Sequence, residues 1–274
     1  LAEEFRKVAG HYVELVMPPL PERSLASRAG LRLLRMLGFA RVPTSAEWKE
    51  MQLSELAGKR YDVVLANSLA SIPVAGRIKA LAPKKPIVIA HIHELEMVIR
   101  QVLPDLVEHL RPVDRVWAGS ELVHEGLVRQ WGVPEERIDV QYPITKVHGS
   151  SDVLISHASP GTIHVVGLGS VVVRKGYDLF IQVALWVKRH HPDVPVRFSW
   201  GGPVAHYDRP LIEHDLKHAG LQGVVNFIGE IVDPGPLYRE LDIFLLPSRE
   251  DPFPLVCIEA GAMGKPIICF EGAT

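Results

Sequence analysis

The order of elements along this chain predicts an α/β protein of two domains, each a parallel sheet wrapped by helices. Three observations carry that. Short unbroken apolar runs, such as Ile243-Phe244-Leu245-Leu246, suit strands buried on both faces. Helical patterns fill the intervals between such runs, the alternation expected of strands joined by crossover helices. A stretch with no period, Val147 to Gly161, rich in Ser, His, Gly and Pro, separates two such series and reads as a linker. A length of 274 residues suits two domains.

In the first series, expected strands are His11–Met17, Tyr61–Ala66, Pro86–Ala90, Arg115–Ala118 and Ile138–Tyr142. Helical patterns fill the intervals, for example Glu47–Ala57, Val74–Leu81 and Leu122–Trp131. In the second, strands are expected at Thr162–Leu168, Val194–Trp200, Val224–Ile228, Asp242–Leu246 and Pro266–Phe270, with helices at Tyr177–Arg189 and Leu211–Ala219. The reading is two Rossmann-like domains, at 1–147 and 162–274, whose sites lie at the carboxyl ends of the strands. Both ends read as cut. Leu1–Val8 resembles the first helix of a unit without its opening strand, and a complete domain of this type would continue past Thr274.

Bulk properties narrow the function. Apolar residues make up 47% and charged residues 23%, enough for a substantial core. Thirty basic residues against 32 acidic ones give a net charge of −2, and no basic stretch has the density a nucleic acid requires. No apolar run approaches the roughly 18 to 20 residues of a membrane span, which leaves room for peripheral membrane contact only. With two cysteines, Cys257 and Cys269, a disulfide framework is not expected, and a reducing cytoplasmic setting is. No cleavable signal is seen at the start.

The most informative stretch is Ser248-Arg249-Glu250-Asp251-Pro252-Phe253-Pro254-Leu255-Val256-Cys257-Ile258-Glu259-Ala260. A strand runs into it and a helix leaves it near Pro254, a residue favoured at the first helical position because its missing N–H has no intrahelical partner anyway. The N–H groups of Leu255 and Val256 then point back toward the strand end, at the positive end of the helix dipole, where phosphate binds. Glu259 lies roughly 7 to 8 Å along the helix axis from Pro254, within reach of a ribose attached to that phosphate. Asp251, before the turn, can meet a sugar beyond it.

This stretch resembles the acidic-x7-Glu signature of the retaining glycosyltransferases of family four, glycosyl transferases group 1. It departs twice, with Asp251 where Glu is usual and Pro254 where Gly is common; Glu250 is one residue out of register. The resemblance implies the GT-B fold, two Rossmann-like domains facing a cleft, in a chain shorter than the family's usual length.

Other segments fit the same resemblance. Gly167-Leu168-Gly169-Ser170-Val171-Val172-Val173-Arg174-Lys175-Gly176 resembles the family's Gly-Arg-x4-Lys-Gly loop, with Gly169 at the turn and Lys175 matching. Ser170 stands where the arginine is usual, and Arg174 is the substitute. Two cations there would neutralise a departing diphosphate; a solvated helix start is the plain alternative, though the dipole disfavours it. His91-Ile92-His93-Glu94 follows a strand, and His93, with His91 the alternative, resembles the family's cleft histidine facing the donor sugar. An ordinary structural histidine is the competing reading, and zinc lacks a third ligand at a characteristic spacing. Gly229, in Phe227-Ile228-Gly229-Glu230, corresponds to a position bordering the nucleobase, and Gly201-Gly202-Pro203 is a further strand-end turn. Ser120 resembles a strand-end serine that is more often structural than catalytic.

The resemblance implies transfer of a sugar from a nucleotide-diphosphate sugar to a hydroxyl on a carbohydrate, lipid or other acceptor, with retention of configuration. Arg174, Lys175, His93 and Asp251 would act at the reacting centre. Glu259, Gly229, Gly169, Phe253, Pro254, Leu255 and Val256 would bind the donor. No cofactor and no metal are expected, since the cations and the helix start supply positive charge. The alternatives are a sugar-nucleotide epimerase of the same architecture and a non-catalytic nucleotide-sugar-binding protein.

Overall fold

The computed structural model describes residues 45–145, 161–206 and 208–272. The expected helix Leu1–Val8, the strand His11–Met17 and all of the linker but Gly161 lie outside the described residues. The chain divides into two compact units, one reaching Ala90 and taking in His109–Asp114, the other formed by His91–Glu108 and the chain from Arg115 onward.

A four-stranded sheet has the order β1-β2-β3-β4. Its strands are β1 Val63–Ala66, β2 Ile87–Ile92, β3 Arg115–Ala118 and β4 Ile138–Val140. β1 pairs in parallel with β2 from Val63 opposite Ile87 to Ala66 opposite Ala90, and β3 pairs in parallel with β4. The helices are α1 Ser45–Gly58, α2 Ile72–Leu81, α3 Glu96–Val102, α4 Leu106–His109 and α5 Glu121–Arg129. Proline in the first turn of α2 costs no helical hydrogen bond. Ser120 caps α5, its hydroxyl accepting the Val123 N–H at 3.3 Å.

The five strands after the linker form one parallel sheet of order β7-β6-β5-β8-β9. They are β5 Ile163–Leu168, β6 Val196–Gly201, β7 Val225–Gly229, β8 Ile243–Leu246 and β9 Ile267–Cys269, joined by α6 Tyr177–His190, α7 Arg209–His218, α8 Gly235–Glu240 and α9 Leu255–Ala262. From β5 the chain builds outward to β7, then returns to lay β8 against the other side of β5. The loops after β5 and β8 therefore meet at a switch point, where ligands bind in such sheets.

Alternation along the strands supplies two apolar layers. Val165 of β5 and Leu245 of β8 join Phe180, Phe198, Trp200, Ile212 and Leu216 on one face. Val166, Leu168, Phe244 and Leu246 face Tyr238, Leu241, Ala260 and Met263 on the other. Phe180 meets Phe198 and Trp200 edge-on, with ring centres 5.5 and 5.2 Å apart, a geometry worth about 1 kcal/mol per pair beyond burial.

Three differences from expectation bear on the site. β2 runs on to Ile92, which takes His91 into the strand and leaves His93 just past it. The last major helix starts at Leu255, so Pro254 is its N-cap residue rather than its first helical one. The helices α3, α4 and α8 match none of the helical patterns named from the sequence; they have only seven, four and six residues, too few to show a period of 3.6.

Candidate active site

Three strand ends of the second sheet are laced together by main chain. The Gly169 N–H donates to the Gly201 carbonyl at 2.8 Å, and the Gly202 N–H donates to the Gly229 carbonyl at 2.7 Å. Trp200, fully buried, adds an indole N–H to the Gly169 carbonyl at 2.8 Å. Gly202 has φ +145°, and a Cβ there would lie 2.0 Å from the Gly169 carbonyl oxygen, so no other residue fits. Gly229, expected at a nucleobase, contributes this anchoring bond.

The cations follow on a 3-10 turn, Val173–Lys175, which ends at Gly176 with φ +74°. A Cβ on Gly176 would come within 1.9 Å of the Pro247 carbonyl, so the turn is pressed onto the end of β8. The Arg174 guanidinium donates to the Glu250 carbonyl at 2.7 Å, and the Arg249 N–H donates to the Arg174 carbonyl at 2.8 Å. The Lys175 ammonium reaches an Asp251 carboxylate oxygen at 2.5 Å, which also accepts from Ser248 at 3.2 Å. Asp251 is only 4% exposed. Arg249 grips Asp178 of α6 through two bonds of 2.8 Å. That pair holds the Asp178 carboxyl below, and the Arg249 guanidinium above, its ordinary pKa.

Glu259 lies elsewhere in the same motif. One carboxylate oxygen, Oε2, accepts from the buried Tyr238 hydroxyl at 2.7 Å; the other, Oε1, accepts from the Thr145 hydroxyl at 2.6 Å. Glu259, Val256 and Tyr238 line a cavity of about 250 Å³ with Gly169, Ser170 and Gly202 at the carboxyl ends of β5 and β6. Main-chain glycines form one wall of this cavity, and two carboxylates, Glu259 and Glu230, line it as well.

A family model described as Glycosyltransferase Family 4 matches residues 1–145, and one described as Glycosyl transferases group 1 matches 162–273. The chain belongs to glycosyltransferase family 4. Its relatives include the D-inositol 3-phosphate glycosyltransferase of Paenarthrobacter aurescens, 25% identical over 162 residues, covering 56% of this chain and 40% of that protein. The enzyme of that name from Rhodococcus erythropolis is 27% identical over 277 residues, covering 96% of this chain and 60% of the relative. Among solved structures, Anabaena HepE in complex with UDP-glucose superposes with a TM-score of 0.68 at 19% identity, over 88% of this chain and 70% of that one. That likeness shows the fold, the GT-B architecture of glycosyltransferases. The chain spans less than two thirds of the length of the curated relatives it matches.

Other residues of this family 4 chain that the sequence singles out make contacts of their own. Glu250, out of register in the motif, turns its carboxylate to the N–H of Met97 in the first turn of α3, at 3.1 and 3.2 Å, and serves as a helix cap. His93 and His91 form a second cluster, with ring centres 3.8 Å apart and Trp117 edge-on to His91. Burial, and then the neighbouring His91, push the His93 pKa down, which favours a neutral ring. Phe253 packs against Tyr142 with ring centres 5.3 Å apart. Both cysteines are free, and burial pushes the Cys257 thiol up to about 12. Among the described residues no helix is long and apolar enough to cross a membrane. Sequence reasoning missed Tyr238, Thr145 and Ser248. Only Ser248, three residues before Asp251 at a strand end, carried a local signal.

Proposed function

We propose that this protein is a retaining glycosyltransferase that moves a hexosyl group from a nucleoside-diphosphate sugar to an acceptor hydroxyl. The observation that carries the reading is the Glu259 carboxylate in the wall of the glycine-lined cavity, accepting a hydroxyl on each oxygen. Ribose hydroxyls fit that chemistry, and the N–H groups at the start of α9 suit the diphosphate. HepE and the pneumococcal O-GlcNAc transferase GtfA, solved with UDP-glucose and with UDP and GlcNAc, are similar in fold.

In the step proposed, the bond between sugar C1 and the phosphate oxygen breaks and a bond from C1 to the acceptor oxygen forms on the same face. The acceptor proton passes to the departing diphosphate, so a glycoside and a nucleoside diphosphate result. Charge grows on the phosphate as the bond breaks, and donors fixed in advance stabilise it. Lys175 carries three N–H donors, of which Asp251 takes one. Arg174 directs one arm to the Glu250 carbonyl and keeps others. Asp251 retains its second oxygen for sugar hydroxyls, and neutral His93 serves as a donor toward the sugar. No resident metal enters this scheme, the cations and the helix start providing the positive charge. A cytoplasmic setting suits the free thiols.

The test is release of nucleoside diphosphate from a panel of UDP-, GDP- and ADP-sugars by the full-length protein, with and without an acceptor library. Acceptor-dependent release with an α- or β-anomer matching the donor supports the proposal. Epimerised donor without release points to an epimerase, and tight binding without turnover to a non-catalytic binder.

A further inference from the structure

The Tyr238 ring is fully buried on α8 and packs toward Phe244 at 6.3 Å between ring centres. Its hydroxyl points at Glu259 rather than into the apolar layer, donating to Oε2 at 2.7 Å, with the Val256 carbonyl further off at 3.4 Å. The opposite oxygen, Oε1, accepts the Thr145 hydroxyl, an aliphatic alcohol of the same chemistry as a ribose hydroxyl. Tyr238 and Glu259 line one cavity.

We propose that Tyr238 is a positioning residue for donor binding: its hydroxyl fixes the Glu259 carboxylate so that Oε1 is presented to a ribose hydroxyl. This rests on the nucleotide-site reading above. A glutamate side chain is costly to order when it binds, and a buried tyrosine that orders it beforehand leaves more of the interaction for the ligand. Burial first, and then the Glu259 carboxylate, raise the Tyr238 pKa, so the hydroxyl stays a donor across the neutral range. Thr145 occupies the place the ribose hydroxyl takes.

The experiment is a calorimetric comparison of UDP with 2′,3′-dideoxy-UDP, on the full-length protein and on Tyr238→Phe. If GDP or ADP is the nucleotide that binds, its dideoxy counterpart is used. The original protein is expected to prefer the ribose form, and Tyr238→Phe to lose about 10-fold of that preference, the scale of one charge-assisted hydrogen bond, with dideoxy affinity unchanged. Equal loss for both ligands, or no loss, overturns the positioning role while leaving the nucleotide site standing. No binding of UDP, GDP or ADP by the original protein overturns the nucleotide reading and this proposal with it. If circular dichroism shows Tyr238→Phe unfolded, 4-fluorophenylalanine at position 238 fills the place of the hydroxyl without a donor. The same loss of ribose preference, about 10-fold, is then expected, and an undiminished preference overturns the role.

Discussion

The two acids that end the Asp251 to Glu259 motif are eight residues apart in sequence and differ in burial and in the charge of their partners. Asp251 is 4% exposed and neutralised by the Lys175 ammonium at 2.5 Å. Glu259 meets hydroxyls in a cavity wall. A buried charge needs a compensating charge, whereas a carboxylate held by neutral donors keeps its capacity to bind more of them. The same residue class is thus paired with a cation at one end of the motif and held by neutral hydroxyls at the other.

The largest expected effect is at the Asp251 end. Lys175→Ala should lower turnover by about 10² to 10³, and by more than it weakens donor binding, because phosphate charge grows toward the transition state. The same change strands the buried Asp251 carboxylate, so urea unfolding should show a loss of about 3 kcal/mol. A variant with unchanged stability and turnover would mean that Asp251 and Lys175 are independent.

Glu259→Gln should behave in the opposite way, with the fold unchanged and nucleoside-diphosphate affinity lower by about 1.5 to 3 kcal/mol in a calorimetric titration. A drop in melting temperature with undiminished affinity would make Glu259 structural and erase the contrast. Arg249→Ala removes a partly exposed pair with Asp178, so its stability cost should not exceed about 1 kcal/mol; a larger one would mean that the cation turn depends on this clamp.

The smallest change is expected far from both acids, at the start of β5. Buried His164 accepts from Arg197 through Nδ1 at 2.9 Å, so its Nε2–H donates to Ser199 at 2.8 Å. Burial, then Arg197, lower its pKa, against raising effects from Glu240 and Asp242. A folded pKa below the unfolded value means the unfolded chain binds the extra proton. His164 therefore contributes stability that is full above its unfolded pKa of about 6.5 and lost as pH falls through it. His164→Asn should flatten that part of the stability profile between pH 7 and 5, and an unchanged slope would assign it to other groups.

Much of this was legible in the sequence because it is local. Strand β3 falls at the residues expected, the glycine loop and the acidic-x7-Glu motif sit at the ends of β5 and β8, and each draws its shape from neighbours in the chain. What was not legible is distant pairing. Thr145 reaches Glu259 across 114 positions and Met97 reaches Glu250 across 153, and neither residue type carries a motif. Tyr238 lies on a six-residue helix beginning Gly-Pro, which reads as a turn. The shift of the helix start from Pro254 to Leu255 is a one-residue matter of cap geometry that composition does not resolve.

Whether Glu259 receives the nucleotide while Asp251 stays with Lys175 is tested at once by a crystal structure of the full-length protein with a bound nucleoside diphosphate. The expected result is a ribose hydroxyl on Glu259 Oε1 in place of Thr145, with the Tyr238 bond kept and the Lys175 to Asp251 pair intact beside the phosphates. A ribose bound away from Glu259, or an Asp251 released from Lys175 to take the ribose itself, would contradict it.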